Sequence, residues 1–372
     1  MGSLKERDYS FDAIRGFCMF LIPLQHFFEA DAAHSYHSWE GFIYFTIDLF
    51  VMQAFFFLSG YFSKKPERGR EIAVKALLWP LLMTYPFFMI IQFVIDYDLK
   101  FNILQPPFAM WFLLCLFYYR MFHKDYIKIK HLFGIVFLLS LVVGVIPSFS
   151  ATLSLARAVN WMPYFLLGYY CTPEQMEKVR SLKWWQTSLL AIFLVVGVYF
   201  FMQYASFSHY GAVQMSTSNK MAGISWWSNI IVHLAVFVVS IAFMIVLFNV
   251  FGNKKGYWSY IGQHTMPIYI FHIVIFHLIC RNGLGFGLFT PPAYDTPLYL
   301  LYVLVLAAVV TTVLATPPFV WLYDVIFGKS YDLFIKCFHR FAEPAGAAVE
   351  KALLAVWPFK TDRADPAAKQ QD

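Results

Sequence analysis

Arg15 and His26 lie eleven residues apart in one apolar run, FDAIRGFCMFLIPLQHFFEA. A guanidinium and an imidazole inside a membrane span are costly enough to mark a working site. At about 100° per residue, that separation returns to nearly the same helix face, roughly 16 Å further along the axis. Asp12, Arg15, Met19, Ile22, His26 and Glu29 then share one stripe at three-and-four spacing. A near-neutral imidazole can accept a proton from a hydroxyl, which makes His26 the candidate general base, with Glu29 one turn on to orient it. Arg15 would face an anionic ligand, with Asp12 holding it at i,i+3. The competing reading is an arginine that snorkels to the headgroups and a histidine satisfied by a neighbouring helix. For a lone pair the two readings weigh the same; the whole stripe tips them toward a site.

Other chemistry-bearing residues are scattered along the chain. Asp48 and Gln53 precede FFFLSGYFSKKP, where Lys64 and Lys65 mark a basic exit from the second apolar stretch. Ser59 and Gly60 suit close helix packing better than nucleophilic attack, since no base adjoins Ser59. Trp111 and Arg120, in MWFLLCLFYYR, read as belt and anchor residues, although an indole also stacks on sugar rings. Arg157 lies just inside an apolar stretch from its outer end, where topology does not want a cation. It pairs either with Asp48, Glu29 or an anionic substrate group, or within a purely structural ion pair. Thr265, Tyr269 and His272 share a face at i, i+4 and i+7, placed to bind a hydroxyl or acyl group or to glue helices together. Gly283, Gly285 and Gly287 lack the strand-turn-helix of a dinucleotide loop, and His34 and His37 lack a partner set for zinc, so no metal site is expected.

These residues need a frame, and composition supplies it. Of 372 residues, 60% are hydrophobic and only 13% charged, which excludes an ordinary soluble domain and points to an all-α, polytopic membrane bundle. Apolar stretches near 12–29, 41–63, 76–96, 106–123, 131–148, 154–171, 184–203, 226–248, 260–280 and 297–322 are long enough to cross the hydrocarbon core. Ten spans put both termini on one side. The N-terminus and even-numbered loops carry fifteen lysines and arginines, from Lys5 to Lys255; the opposite loops carry Lys100, Lys220 and Arg281. That bias makes the termini cytoplasmic in a multi-pass membrane protein. The net charge of +6 is thus a topology signal and argues for no nucleic-acid partner. Five cysteines without CxxC spacing read as buried small hydrophobes.

The first run carries Arg15 and His26 and no persuasive cleavage context, so it is expected as a retained span rather than a signal peptide. Residues 1–328 form the membrane domain. Residues 329–372 form a cytoplasmic tail, partly amphipathic, interrupted near Pro344 and then disordered.

RDYSFDAIRG…LIPLQHF, FFFLSGYFSKK, MWFLLCLFYYR, LSLARAVNWMPYFLLGYY and YIGQHTMPIYIFH, in that order, resemble the membrane-bound acyltransferase family 3, nearest its fucose 4-O-acetylase-like branch and more distantly glucan succinyltransferases. The likeness spans about residues 7–325. It implies transfer of an acyl group, usually acetyl from acetyl-CoA, to a hydroxyl of a cell-envelope sugar, glycolipid or polysaccharide. The acyl-CoA would be a co-substrate, its phosphates met by Arg15, Lys64 or Lys65, and no cofactor would be bound tightly. The hallmark arginine and catalytic histidine of the family fall on Arg15 and His26, and Arg157 matches an arginine recurrent in the branch. The extracytoplasmic hydrolase-like domain of some relatives is lacking. A transporter or flippase lined by the same charges is the alternative reading; it requires inverted repeats and helices interrupted at the midplane.

Overall fold

The computed structural model describes residues 7–32, 38–96, 104–106, 108–145, 152–204, 225–276 and 292–356. Among these the chain is all-helical, with no strand. It forms two compact units, Met1–Tyr323 and Asp324–Asp372. Among the described residues, five helical stretches of the first unit, two of them built from more than one element, are long and apolar enough to cross a membrane: Trp39–Tyr61, Pro66–Ile90, Trp184–Gln203, Trp226–Val250 and Pro297–Leu314. The expected stretches near 106–123, 131–148 and 260–280 hold shorter apolar helices, Trp111–Met121, Leu132–Val142 and Thr265–Phe276. His34, His37 and the glycines 283, 285 and 287 lie outside the described residues.

In chain order the first unit runs α1 (Tyr9–Ala32), α2 (Trp39–Asp48), α3 (Val51–Tyr61), α4 (Pro66–Ala73), α5 (Trp79–Asp96), α6 (Trp111–Met121), α7 (His123–Tyr126), α8 (Leu132–Val142) and α9 (Leu155–Tyr170). It continues with α10 (Pro173–Val179), α11 (Trp184–Tyr204), α12 (Trp226–Val250), α13 (Tyr257–Gln263), α14 (Thr265–Phe276), α15 (Pro297–Leu314) and α16 (Pro317–Tyr323). Large apolar side chains stay exposed along α11 and α12, including Leu189, Ile192, Phe193, Ile231 and Val238. A soluble fold would hide or replace them; here they meet hydrocarbon.

Two glycine crossings tie the site-bearing helices together. α1 lies against α13 with Gly16 on the Trp258 carbonyl and Gly262 on the Asp12 carbonyl. α3 lies against α9 in the same manner, Gly60 on the Phe165 carbonyl and Gly168 on the Phe57 carbonyl. At each of the four positions a Cβ would overlap the opposing backbone. Small residues permit this approach where lipid supplies no hydrophobic drive between helices.

The stretch read as one apolar span over 41–63 is broken at Leu49–Phe50, between α2 and α3. The Gln53 amide donates to the Asp48 carbonyl at 3.0 Å, and Ser240 on α12 donates to the Leu49 carbonyl. Side chains thus satisfy the backbone groups that the break releases. In the second unit a turn of π-helix (Asp324–Lys329) leads into α17 (Ser330–Cys337), a second π turn (Phe338–Ala342) and α18 (Glu343–Val356). Near Pro344 the regular α-helix gives way to the π turn Phe338–Ala342, and the chain stays helical through the proline itself. The wider π turn just before Pro344 gives its ring room where a regular turn would clash. Leu333, Phe334, Phe338, Phe341, Val349 and Leu353 are all exposed on this unit.

Candidate functional site

α1 carries the stripe that the sequence laid out. Asp12 is buried, accepts a hydrogen bond from Arg7 and forms ion pairs with Arg7 at 2.7 Å and Arg15 at 3.5 Å. Met19 and Ile22 are buried between, while Arg15 and His26 are half-buried. Glu29 belongs to α1, but its side chain lies outside the described residues. Beside this stripe Gln25 donates to Asp48, so the Asp48 carboxylate meets α1 within the helix bundle.

Arg15 and His26 look toward different neighbours around one strip of the bundle. The Arg15 guanidinium stands 4.8 Å over the ring of Phe62, at the end of α3. The His26 ring lies 5.3 Å from that of His272 and 5.9 Å from Phe276, both on α14. α6 bridges the two ends. Phe112 packs on Phe56 of α3 at 4.9 Å and on Tyr269 of α14 at 5.8 Å. Eight residues further along α6, about 12 Å, Arg120 donates to Ser59 of α3 at 3.1 Å. α1, α3, α6 and α14 therefore bound a common strip, with the arginines at one end and the two histidines toward the other.

His272 is fully buried. Its Nδ1 lies 2.8 Å from the Ile268 carbonyl, which can only accept, so Nδ1 carries the proton and Nε2 keeps its lone pair. That Nε2 has no hydrogen-bond partner among the described residues. Tyr269 is buried beside it and donates its hydroxyl proton to the Ala109 carbonyl, which leaves the phenol oxygen as an acceptor. Thr265 is half-buried in the first turn of α14, on the face that carries both.

Arg157, at the start of α9, stands 4.7 Å over the indole of Trp111. Trp111 packs in turn on Trp161 at 5.9 Å, so guanidinium and two indoles form a layered wall. Next to that wall, Ser140, Asn160, Trp161, Tyr164 and His233, together with apolar residues such as Phe137 and Phe237, line a small cleft between α8, α9 and α12. This cleft was not foreseen. Its signal was present: Asn229, His233 and Ser240 recur at helical spacing along an otherwise apolar α12, and all three are buried.

The basic rim departs from expectation at Lys64. Its ammonium donates to the carbonyls of Gly168 (3.1 Å), Tyr169 and Cys171 (2.9 Å), closing the end of α9. Three protons spent on backbone leave none for a phosphate, although Lys64, like Lys65, is exposed. Burial holds the Lys64 pKa below its ordinary value, with Cys171 pulling the other way. Arg180, also overlooked, donates to Asp8 at 2.6 Å and Ser10 at 2.7 Å and covers Phe11 at 4.4 Å, fastening the α10–α11 loop to the start of α1. Burial opposes charge on Asp8, but bonds from Ser10 and Arg180 prevail and hold its carboxyl below the usual value. His123 is buried against Tyr169 at 4.5 Å; burial first, then Arg120 and Lys64, push its pKa down to about 4.

A family model described as an acyltransferase domain matches residues 8–316. No curated protein and no solved structure matches the chain.

Proposed function

The chain belongs to this acyltransferase family, acyltransferase family 3, and from that premise we propose an O-acyltransferase acting from acyl-CoA, most simply acetyl-CoA, on a hydroxyl of a cell-envelope sugar. It is a multi-pass membrane protein that transfers acyl groups other than aminoacyl groups. The finer reading has ten spans in the bacterial cytoplasmic membrane with both termini cytoplasmic, as the alternation of basic loops implies. Cytosolic acyl-CoA then approaches the arginine end of the strip and the acceptor arrives from the other side.

The observation that carries this reading is the stripe on α1, which sets the ion-paired Arg15 about 16 Å along the helix from His26. In the proposed reaction His26 takes the proton of the acceptor hydroxyl, and the oxygen attacks the thioester carbonyl. The tetrahedral intermediate collapses by breaking the carbon–sulfur bond. The CoA thiolate leaves and recovers the proton from the His26 imidazolium, so charge and protons balance. His272, packed ring beside ring, keeps His26 in place. Its Nε2 and the Tyr269 oxygen are left as acceptors only, so neither serves as an oxyanion donor in this scheme. Half-buried Trp111, beside Arg157, is the indole of this wall within reach of an acceptor sugar, since Trp161 is buried.

The test is transfer of labelled acetyl from acetyl-CoA by the purified protein to surface glycan isolated from cells lacking it, read by mass spectrometry and NMR. Labelled O-acetyl on a defined sugar is the expected result. Glycan that stays unlabelled, with an unchanged O-acyl pattern in the deletion strain, would overturn the assignment.

A further inference from the structure

Arg120 reads in the sequence as an end anchor for α6, yet its side chain turns into the bundle. Its Nη2 donates to Ser59 Oγ at 3.1 Å, and its Nε is buried without a hydrogen-bond partner among the described residues. Arg15 reaches the same helix from α1, 4.8 Å over the Phe62 ring. Ser59 and Phe62 are three residues apart, so they are neighbours on one face where α3 ends. Both guanidinium groups therefore reach the last turn of α3, near enough for each charge to disfavour the other. Like charges held this close and partly out of water are unfavourable unless an anion comes between them. The nearby carboxylate does not fill that need. Asp12 already serves Arg7 and Arg15, and Arg120 has no carboxylate within ion-pair distance among the described residues.

We infer that Arg15 and Arg120 form one phosphate clamp across the last turn of α3, and that the phosphate it takes belongs to the CoA moiety of the acyl donor. The inference rests on the acyl-CoA reading above and adds a residue to it. Planar guanidinium forks match the paired oxygens of a phosphate, which an ammonium does not. Asp12 keeps the Arg15 fork aimed, and Ser59 does the same for Arg120. Lys64, spent on the carbonyls of α9, stays outside the clamp. A phosphate held there leaves about 16 Å of α1 for the pantetheine arm to follow toward His26.

Equilibrium binding of radiolabelled CoA and dephospho-CoA to the full-length protein in nanodiscs tests the clamp, with Arg120→Met, Arg120→Lys and Ser59→Ala alongside. Arg120→Met is expected to weaken CoA about 10–100-fold, the range of a lost charge-assisted pair of bonds, with Arg120→Lys between it and the parent. The melting temperature of Arg120→Met should hold or rise, because the variant relieves a repulsion; a merely structural arginine would lower it. Loss confined to CoA places the 3′-phosphate in the clamp, and equal loss for both ligands places the pyrophosphate there. CoA bound equally by the parent and all three variants would overturn the clamp while leaving the acyl-CoA reading intact. A parent protein that binds no CoA would overturn both.

Discussion

Lys64 shows how one side chain changes role once its surroundings are known. A lysine after an apolar run reads as a free basic rim, but its three protons close the carbonyl end of α9. Lys64→Met is expected to cost about 1 kcal/mol, discounted for its exposure. The check is a lower melting temperature in detergent with donor affinity unchanged. His123 offers a pH test. Its pKa of about 4 in the fold lies below the ordinary 6.5, so the unfolded chain takes the proton first. Stability is therefore complete above about pH 6.5 and is lost as pH falls toward 4. His123→Phe, which keeps an aromatic ring beside Tyr169, should flatten that loss in melting curves recorded across the same window. The placing of Arg15, Asp12 and His26 along one helix was legible because helical spacing is local. Arg120 was not: an arginine closing an apolar run reads alike whether it snorkels out or turns in, and only α3 decides.

Among elements, the glycine crossings set how near α1 can come to α13 and α3 to α9. A Cβ at Gly262 would overlap the Asp12 carbonyl, and one at Gly60 the Phe165 carbonyl. Gly262→Val should push α1 away and cost about 2–3 kcal/mol through overpacking. The measurement is the melting temperature of the purified variant beside Gly197→Val, where a Cβ meets open space and little loss is expected. Sequence pattern placed Gly60 beside Ser59 as a packing site, but it gave no partner for Gly16 or Gly262, since pairing across long separations leaves no local trace. The break between α2 and α3 was invisible for a related reason. Its freed carbonyls are satisfied by Gln53 and by Ser240 from a distant helix, so no proline or glycine needs to announce it.

At the scale of the whole molecule, hydropathy and loop charge suffice for an all-helical membrane protein, and the family match accounts for acyl transfer. Ten spans with cytoplasmic termini predict that a reporter fused after residue 372 is active only as a cytoplasmic domain. A reporter in the loop after α11 should be active only on the other face, and identical sides for both would contradict the topology. The deciding measurement concerns His26. With labelled acetyl-CoA bound and acceptor glycan supplied, His26→Gln should bind donor as the parent does yet transfer acetyl at least about 100-fold more slowly in a single turnover. Transfer at the parental rate by that folded variant would mean that another group removes the proton.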